Sequence, residues 1–286
     1  PLCARIVNSD QHSKDYSILA DKMRPGHADY AGYVRYQGFN DYRGGGHFSG
    51  RLTAPLVFAG AVAKQALAQY GIVVGSHILQ INDIQEERFN PMGVSDAELA
   101  ELHAKKFAVM DDAVGEKMQE RILQAKSELN SVGGVIEAIA LHLPAGIGAP
   151  YFDSVESMLS HALFSVPAVK GVEFGDGFGF AGLTGAEAND ALHYVDGKVQ
   201  ALTNHNGGVT GGITNGMPLV VRVAIKPTPS IAREQQTVSL KEQADTTLAI
   251  VGRHDPCIVQ RAVPVIESVV AWTLWDLLLE AKKWEK

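Results

Sequence analysis

Residues 133–146 read GGVIEAIALHLPAG, and residues 211–227 read GGITNGMPLVVRVAIKP. Each opens on a glycine pair, runs through an apolar stretch of strand length, and stops at a proline. A third run of the same character is IVVGSHILQI at 72–81. Its Val and Ile residues suit a pleated, half-buried surface better than a helix. No G-x-G-x-x-G leads from a strand into a helix, and strands and helices do not alternate regularly, which disfavours a dinucleotide-binding doubly wound sheet. The expected fold is α+β, a layered sandwich of mainly antiparallel sheets and helices. The echo between the two quoted stretches has two readings, an internal duplication or chance.

Outward from these strands, Pro55 opens an apolar helix from Leu56 to Tyr70, and Gly71 stops it. Ser95 and Glu98 form a capping-box pattern for a helix over 96–107, and a charged helix follows over 111–129. Asp153 and Glu156 cap a helix to Phe164, a glycine-rich strand pair spans 170–185, and 203–217 is a glycine loop. The last helix runs from Val263 to Trp284 with Pro264 in its first turn, its apolar faces suggesting an oligomer contact around Trp272, Trp275 and Trp284. Residues 1–53 are rich in turn formers and read as long ordered loops, which in compact chains are usually functional.

Composition narrows the class. With 286 residues, 46% hydrophobic and 20% charged, the chain is globular, as one large domain or two small ones. A net charge of −7 without a basic tract excludes a nucleic-acid binder that works by neutralising phosphates, so an anionic ligand needs a local cluster of cations. No uninterrupted apolar run approaches the ~18 residues of a membrane span, and no basic-then-apolar segment opens the chain. Cys3 and Cys257 build no disulfide framework, and a reducing cytoplasmic compartment is the default. Ten histidines occur without paired metal-ligand spacing, so no metal is expected, and no G-x-S-x-G elbow marks a serine hydrolase.

Four clusters concentrate the chemistry. Arg24-Pro25-Gly26-His27-Ala28-Asp29-Tyr30 sets a guanidinium, an imidazole and a carboxylate around a rigid turn. Arg43-Gly44-Gly45-Gly46-His47-Phe48-Ser49-Gly50-Arg51 runs into a helix start, where backbone N–H groups favour an anion. Asn204-His205-Asn206 precedes the glycine loop, and Lys226-Pro227-Thr228-Pro229-Ser230 follows the strand. Gly252-Arg253-His254-Asp255-Pro256-Cys257 places both charge signs beside a turn proline. Taken singly, each also has a plain reading as a surface turn or connector.

In their order along the chain, DQHSKDYS (10–17), RPGHADY (24–30), DYRGGGHFSGR (41–51), AVKGVEFGDGF (168–178), NHNGGVTGGITNG (204–216), KPTPS (226–230) and GRHDPC (252–257) resemble the chorismate synthase family. The resemblance implies conversion of 5-enolpyruvylshikimate 3-phosphate to chorismate and phosphate with reduced FMN, without net redox change. It implies a homotetramer whose FMN sites draw on neighbouring chains. By matching positions, Arg24, Arg51 and Arg253 grip the substrate phosphate and carboxylate. His27 lies near flavin N1 and O2, and Asp255 relays the proton of N5, so the two belong on opposite edges of one flavin-sized cleft. The flavin contacts are His47, Phe48, Ser49, Pro167, Ala168, Gly211, Lys226, Pro227, Thr228, Pro229, Ser230 and Arg253.

Two departures from the family pattern stand out. The usual R-S-S-A-R-E-T reads His47-Phe48-Ser49-Gly50-Arg51-Leu52-Thr53, and Pro167 replaces the usual Asn. The family's G-E-S-H and R-R-R-P-G segments have no counterpart, so residues 1–286 are expected to be one family-like domain incomplete at its N-terminus. The leading reading is an FMN-dependent carbon–oxygen lyase. The alternative is a non-catalytic remnant that folds and oligomerises, and a third is an enzyme that reduces its own flavin with NADPH.

Overall fold

The computed structural model describes residues 2–7, 19–250 and 255–282. Its α-helices are α1 (Asp29–Arg35), α2 (Ala54–Ala68), α3 (Asp96–Ala104), α4 (Asp112–Ser127), α5 (Val155–Phe164), the single turn α6 (Gly185–Ala188) and α7 (Val259–Lys282). The strands are β1 (Val73–Ile81), β2 (Ile84–Gln85), β3 (Gly134–Leu141), β4 (Val169–Phe174), β5 (Leu192–Val195), β6 (Lys198–Ala201), β7 (Val209–Thr210), β8 (Ile213–Thr214), β9 (Leu219–Ile225), β10 (Gln235–Ser239) and β11 (Ala244–Leu248).

The three apolar runs become β1, β3 and β9, the middle of one sheet in the order β2-β1-β3-β9-β4, antiparallel throughout. The expected α+β antiparallel architecture is therefore observed. The glycine pair before β3 has a steric cause: a Cβ on Gly134 would overlap the Gln80 carbonyl of β1, and one on Gly133 the Ile225 carbonyl of β9. Both faces of the sheet are covered. Ile78, Ile136, Ala138, Leu219, Val221 and Val223 join the main core with residues of α2, α4, α5 and α7. On the other face Ile139, Leu141 and Val220 pack with Phe89 and with Leu99 and Leu102 of α3. Cover on both sides explains why these strands read as nearly continuous apolar runs.

Helix α7 is the spine of the main core, with 13 buried residues including Ile266, Val269, Val270 and Leu274. It meets α2 at Gly60, where a Cβ would overlap the side chain and Cα of Ser268. Beside that contact, buried Glu267 accepts from Lys64 Nζ of α2 at 2.5 Å and from Ser76 Oγ of β1 at 2.8 Å, tying three elements together.

Several local expectations need correction. The last helix starts at Val259, so Pro264 lies inside it rather than in its first turn. The hydrogen bond it lacks would have reached the carbonyl of Gln260, an exposed residue. By length and mean hydropathy α7 is also apolar enough to cross a membrane, a property that counting uninterrupted runs missed; 67% of its most apolar window is buried in the fold. Its apolar faces are used inside its own chain, Trp275 packing on Tyr70 with ring centroids 5.8 Å apart, so they supply no argument for an oligomer. Trp284 lies outside the described residues. The cap of α5 is Ser154, whose Oγ accepts from the Ser157 N–H at 3.0 Å, and Asp153 ends the preceding turn. The strand pair expected over 170–185 is one strand, β4, followed by a 3₁₀ segment at Gly177–Gly182. The hairpin β5–β6 turns at Asp196-Gly197, both with φ > 0, and an Asp-Gly pair is a strong local hairpin signal.

Candidate active site

The Arg24–Asp29 turn folds on itself. His27 N–H donates to the Arg24 carbonyl at 3.2 Å, and Gly26 takes a φ of +70° to permit it. Asp29 then accepts from Arg24 Nε and Nη2, each at 2.7 Å, and from the Arg24 backbone N–H at 3.1 Å. His27 Nδ1 lies 2.6 Å from the same carboxylate. Arg24 and Asp29 are 7% and 5% exposed. Burial works against the charge on Asp29, but the hydrogen bonds from Arg24 and His27 outweigh it and hold the carboxyl well below its usual range.

Two further segments close around this turn. The His27 ring faces the glycine triplet: an ideal Cβ on Gly45 would lie 3.6 Å from His27 Nε2 and 3.7 Å from the Ser49 Cβ. Ser49 Oγ accepts from the Arg51 backbone N–H at 3.3 Å, and the Phe48 ring lies over Gly32 of α1. The side chains of His47 and Arg51 are exposed. At the end of β9, Lys226 N–H donates to the Ala168 carbonyl at 2.9 Å, drawing in Pro167-Ala168, and Ala168 has a φ of +75°. Lys226 Nζ donates to the Gly26 carbonyl, Pro229 packs on Gly26, and Ser230 Oγ accepts from Arg24 Nη1 at 3.2 Å.

Asp255 lies one contact further out. The Pro256 carbonyl accepts from Val132 N–H at 2.8 Å, and neighbouring Ser131 Oγ donates to the Thr228 carbonyl at 2.6 Å. The half-exposed Asp255 carboxylate pairs with Arg261 Nη1 at 3.0 Å. The structure therefore gathers Arg24, His27, Ser49, Pro167, Ala168 and the 226–230 segment, with His47, Phe48 and Arg51 in the adjoining turn and Asp255 at the flank.

Gly211 is not gathered. It joins β7 to β8, beside the start of α5 where Val155 N–H donates to the Gly212 carbonyl, whereas Lys226 follows the far end of β9. The seven residues of β9 alone span roughly 20 Å. Arg253 and the DQHSKDYS stretch lie outside the described residues.

The electrostatics of the cluster favour an anion. The charge of Arg24 is matched by Asp29, but among the described residues neither Lys226 nor Arg51 has a carboxylate partner. Burial, then the neighbouring Lys170, depress the Lys226 ammonium. Thr228 Oγ1 is buried and has no hydrogen-bond partner among the described residues. A phosphate oxygen is an acceptor that would suit both groups.

A second polar system escaped the sequence reading. His77 of β1, Glu137 of β3, Arg222 of β9 and Glu173 of β4 stand directly opposite one another across four strands. His77 Nε2 lies 3.1 Å from Glu137 Oε2, Arg222 Nη1 donates to Glu137 Oε1 at 3.2 Å, and Arg222 Nε donates to Glu173 Oε1 at 2.6 Å. Glu86 closes the row on His77 Nδ1. Burial opposes charge on His77, yet bonds to Glu137 and Glu86 raise its pKa; burial likewise opposes charge on Glu137, whose bonds to His77 and the Phe89 N–H lower its pKa. The available signal was a lone charged residue inside each apolar run.

The family model for chorismate synthase matches residues 1–279. The chain is 46% identical over 285 residues to the chorismate synthase of Pyrococcus abyssi, covering 100% of this chain and 78% of that protein. The Thermococcus kodakarensis enzyme gives the same identity and coverage, and that of Dehalococcoides mccartyi is 44% identical over 288 residues, covering 98% and 76%. A crystal structure of chorismate synthase superposes with a TM-score of 0.71 at 30% identity, covering 88% of this chain and 70% of that one. The chain belongs to the chorismate synthase family, the phosphate-eliminating lyases of the shikimate pathway.

Proposed function

We propose that the cluster formed by residues 24–29, 45–51, 167–168 and 226–230 holds reduced FMN beside 5-enolpyruvylshikimate 3-phosphate. The observation that carries this reading is that, among the described residues, the Lys226 ammonium has no carboxylate partner and the buried Thr228 hydroxyl, two positions on, has no hydrogen-bond partner. His47, Phe48, Ser49, Pro167, Ala168 and the 226–230 segment would contact the flavin. When bound, reduced FMN supplies an electron that is returned within the same turnover, so none is consumed.

In this reading Arg51 and Arg253 hold the leaving phosphate and the carboxylate, where cations stabilise the charge that develops as the carbon–oxygen bond breaks. Arg24 contributes only the N–H groups that Asp29 and Ser230 leave over. His27 presents Nε2 at the N1/O2 edge, where it takes up or gives a proton, and Asp255 takes the proton at the N5 edge. Gly211, an exposed left-handed glycine with open space above it, serves the site of a neighbouring copy, which makes the working form a homo-oligomer, on the family's pattern a tetramer. The unpaired thiols of Cys3 and Cys257 suit a cytoplasmic setting. How the flavin becomes reduced, by NADPH on this protein or elsewhere, is a separate property of the pathway.

The test is anaerobic phosphate release with dithionite-reduced FMN, paired with FMN binding read by flavin fluorescence. Lys226→Ala is expected to weaken FMN binding by about tenfold or more, the scale of one charge-assisted hydrogen bond. Asp255→Asn is expected to lower kcat by about 10²–10⁴-fold with FMN binding little changed. Unaltered FMN affinity in Lys226→Ala would overturn the cradle, and unaltered turnover in Asp255→Asn the proton role.

A further inference from the structure

We propose that Asp29 is a positioning residue, fixing His27 with its proton on Nδ1 and Nε2 turned toward the Gly45 turn, and locking the Arg24 fork in the same stroke. What Nε2 meets rests on the function proposed above; the placement of the proton does not.

The geometry decides between two arrangements. Two groups compete for His27 Nδ1: Asp29 Oδ1 at 2.6 Å and Arg24 Nη2 at 3.0 Å. Were Nδ1 unprotonated and accepting from Arg24, its lone pair would face a carboxylate oxygen at 2.6 Å, a repulsive contact at hydrogen-bond distance. With the proton on Nδ1, Asp29 accepts it, and the Arg24 Nη2 hydrogen is already placed on the same Oδ1 at 2.7 Å. One oxygen then receives from both donors, while Oδ2 takes Arg24 Nε and the Arg24 backbone N–H. Both carboxylate oxygens and the Nδ1 hydrogen then have partners, in a site where Asp29 is 5% exposed.

The arrangement has a consequence at the other edge of the ring. Free histidine in water carries its neutral-state proton mainly on Nε2, and the hydrogen bond made by one nitrogen sets the state of the other. Asp29 reverses that preference. Nε2, which faces the Gly45–Ser49 turn, is left as the nitrogen that can take up or give a proton. Carboxylate control of a histidine tautomer is a recurring device, and the wrong tautomer alone can cost several powers of ten in rate. The Asp29 carboxylate fits this task because it is also the counter-charge of Arg24: a single buried group sets the orientation of two side chains.

The experiment is ¹⁵N NMR of the full chain with labelled histidine at about pH 9, above the ordinary imidazole range, the His27 signals being identified by their loss in His27→Gln. The expected spectrum shows a protonated Nδ1 in the wild type and in Asp29→Glu, and in Arg24→Lys, which keeps the carboxylate. In Asp29→Ala the proton moves to Nε2. An unprotonated Nδ1 in the wild-type spectrum overturns the proposal without any variant needing to fold, and so does an unmoved proton in Asp29→Ala. In the anaerobic assay Asp29→Ala is expected to lose about tenfold or more in kcat with Asp29→Glu recovering part of it. A moved proton with unchanged turnover overturns the positioning role. Absence of turnover in the wild type would count against the proposed function, while the spectrum still tests Asp29.

Discussion

Replacing Glu137 by Gln tests whether the row of charges across the sheet works as one unit. Glu137 is fully buried and accepts from three donors: His77 Nε2 at 3.1 Å, the Phe89 N–H at 2.6 Å and Arg222 Nη1 at 3.2 Å. His77 and Phe89 approach one oxygen and Arg222 the other, so a Gln side chain in either orientation turns its NH₂ toward a donor. The substitution removes a charge between two buried cations and adds a donor–donor contact. Breaking a buried pair from one side costs about 3–5 kcal/mol, against a total stability of about 5–15 kcal/mol for a folded chain. With a urea dependence of about 3 kcal/mol per molar for a chain of this size, the unfolding midpoint should fall by about 1–2 M.

The assay is urea unfolding followed by far-ultraviolet circular dichroism at pH 6. A double variant separates charge from shape. Glu137→Met with Arg222→Met removes one anion and one cation, leaves His77 its Glu86 partner, and leaves Glu173 at a side-chain exposure of 26%, where water can reach it. Its loss should be clearly smaller than that of Glu137→Gln, because apolar replacement of a buried pair is often neutral. A midpoint shift below about 0.3 M in Glu137→Gln would refute the coupling, and an equal or larger loss in the double variant would refute the claim that unpaired charge is the cause.

Two further outcomes follow from the same core. Because the His77 pKa is raised in the folded chain, its stabilisation is complete below the ordinary value of 6.5 and is lost as pH rises through the folded value; the lowered Glu137 contributes above 4.5 and is lost as pH falls. The urea midpoint should therefore decline on the alkaline side of pH 7, and His77→Gln should flatten that decline; a midpoint that climbs from pH 6 to 9 contradicts it. Gly60→Ala should lower the thermal midpoint by a few degrees, since forcing α2 from α7 costs about 1–3 kcal/mol and outweighs a helix-propensity gain of up to about 1 kcal/mol. Adding Ser268→Gly should recover little of the loss, because the Ser268 Cα stays in the way of the new methyl group and a glycine inside α7 carries its own cost, and a higher midpoint in Gly60→Ala alone would show that the helices can part freely.

The main strands and several helices were legible because their signals are local. An apolar run of strand length bounded by Gly and Pro marks β1, β3 and β9, and Ser95 with Glu98 gives the observed capping box of α3. The motif segments were legible too, since RPGHADY and KPTPS carry their side chains on rigid turns. Beyond that reach the chain is silent. Nothing around Glu137 says that its partner is Arg222, 85 positions away, because the pairing exists only once β3 and β9 lie in one register. The same holds for Asp29, whose sequence neighbours show a carboxylate near an arginine, whereas its meaning comes from its burial and from an Arg24 fork whose other arm is held by Ser230, 206 positions from Arg24. Pro264 inside α7 and the far placement of Gly211 are likewise tertiary facts. Spacing along the chain fixes which backbone shape is cheap. Which charges meet, which are dry, and which hydroxyl is left without a partner depend on distances that only the packed sheet and helices set, and those distances determine the electrostatics of the site.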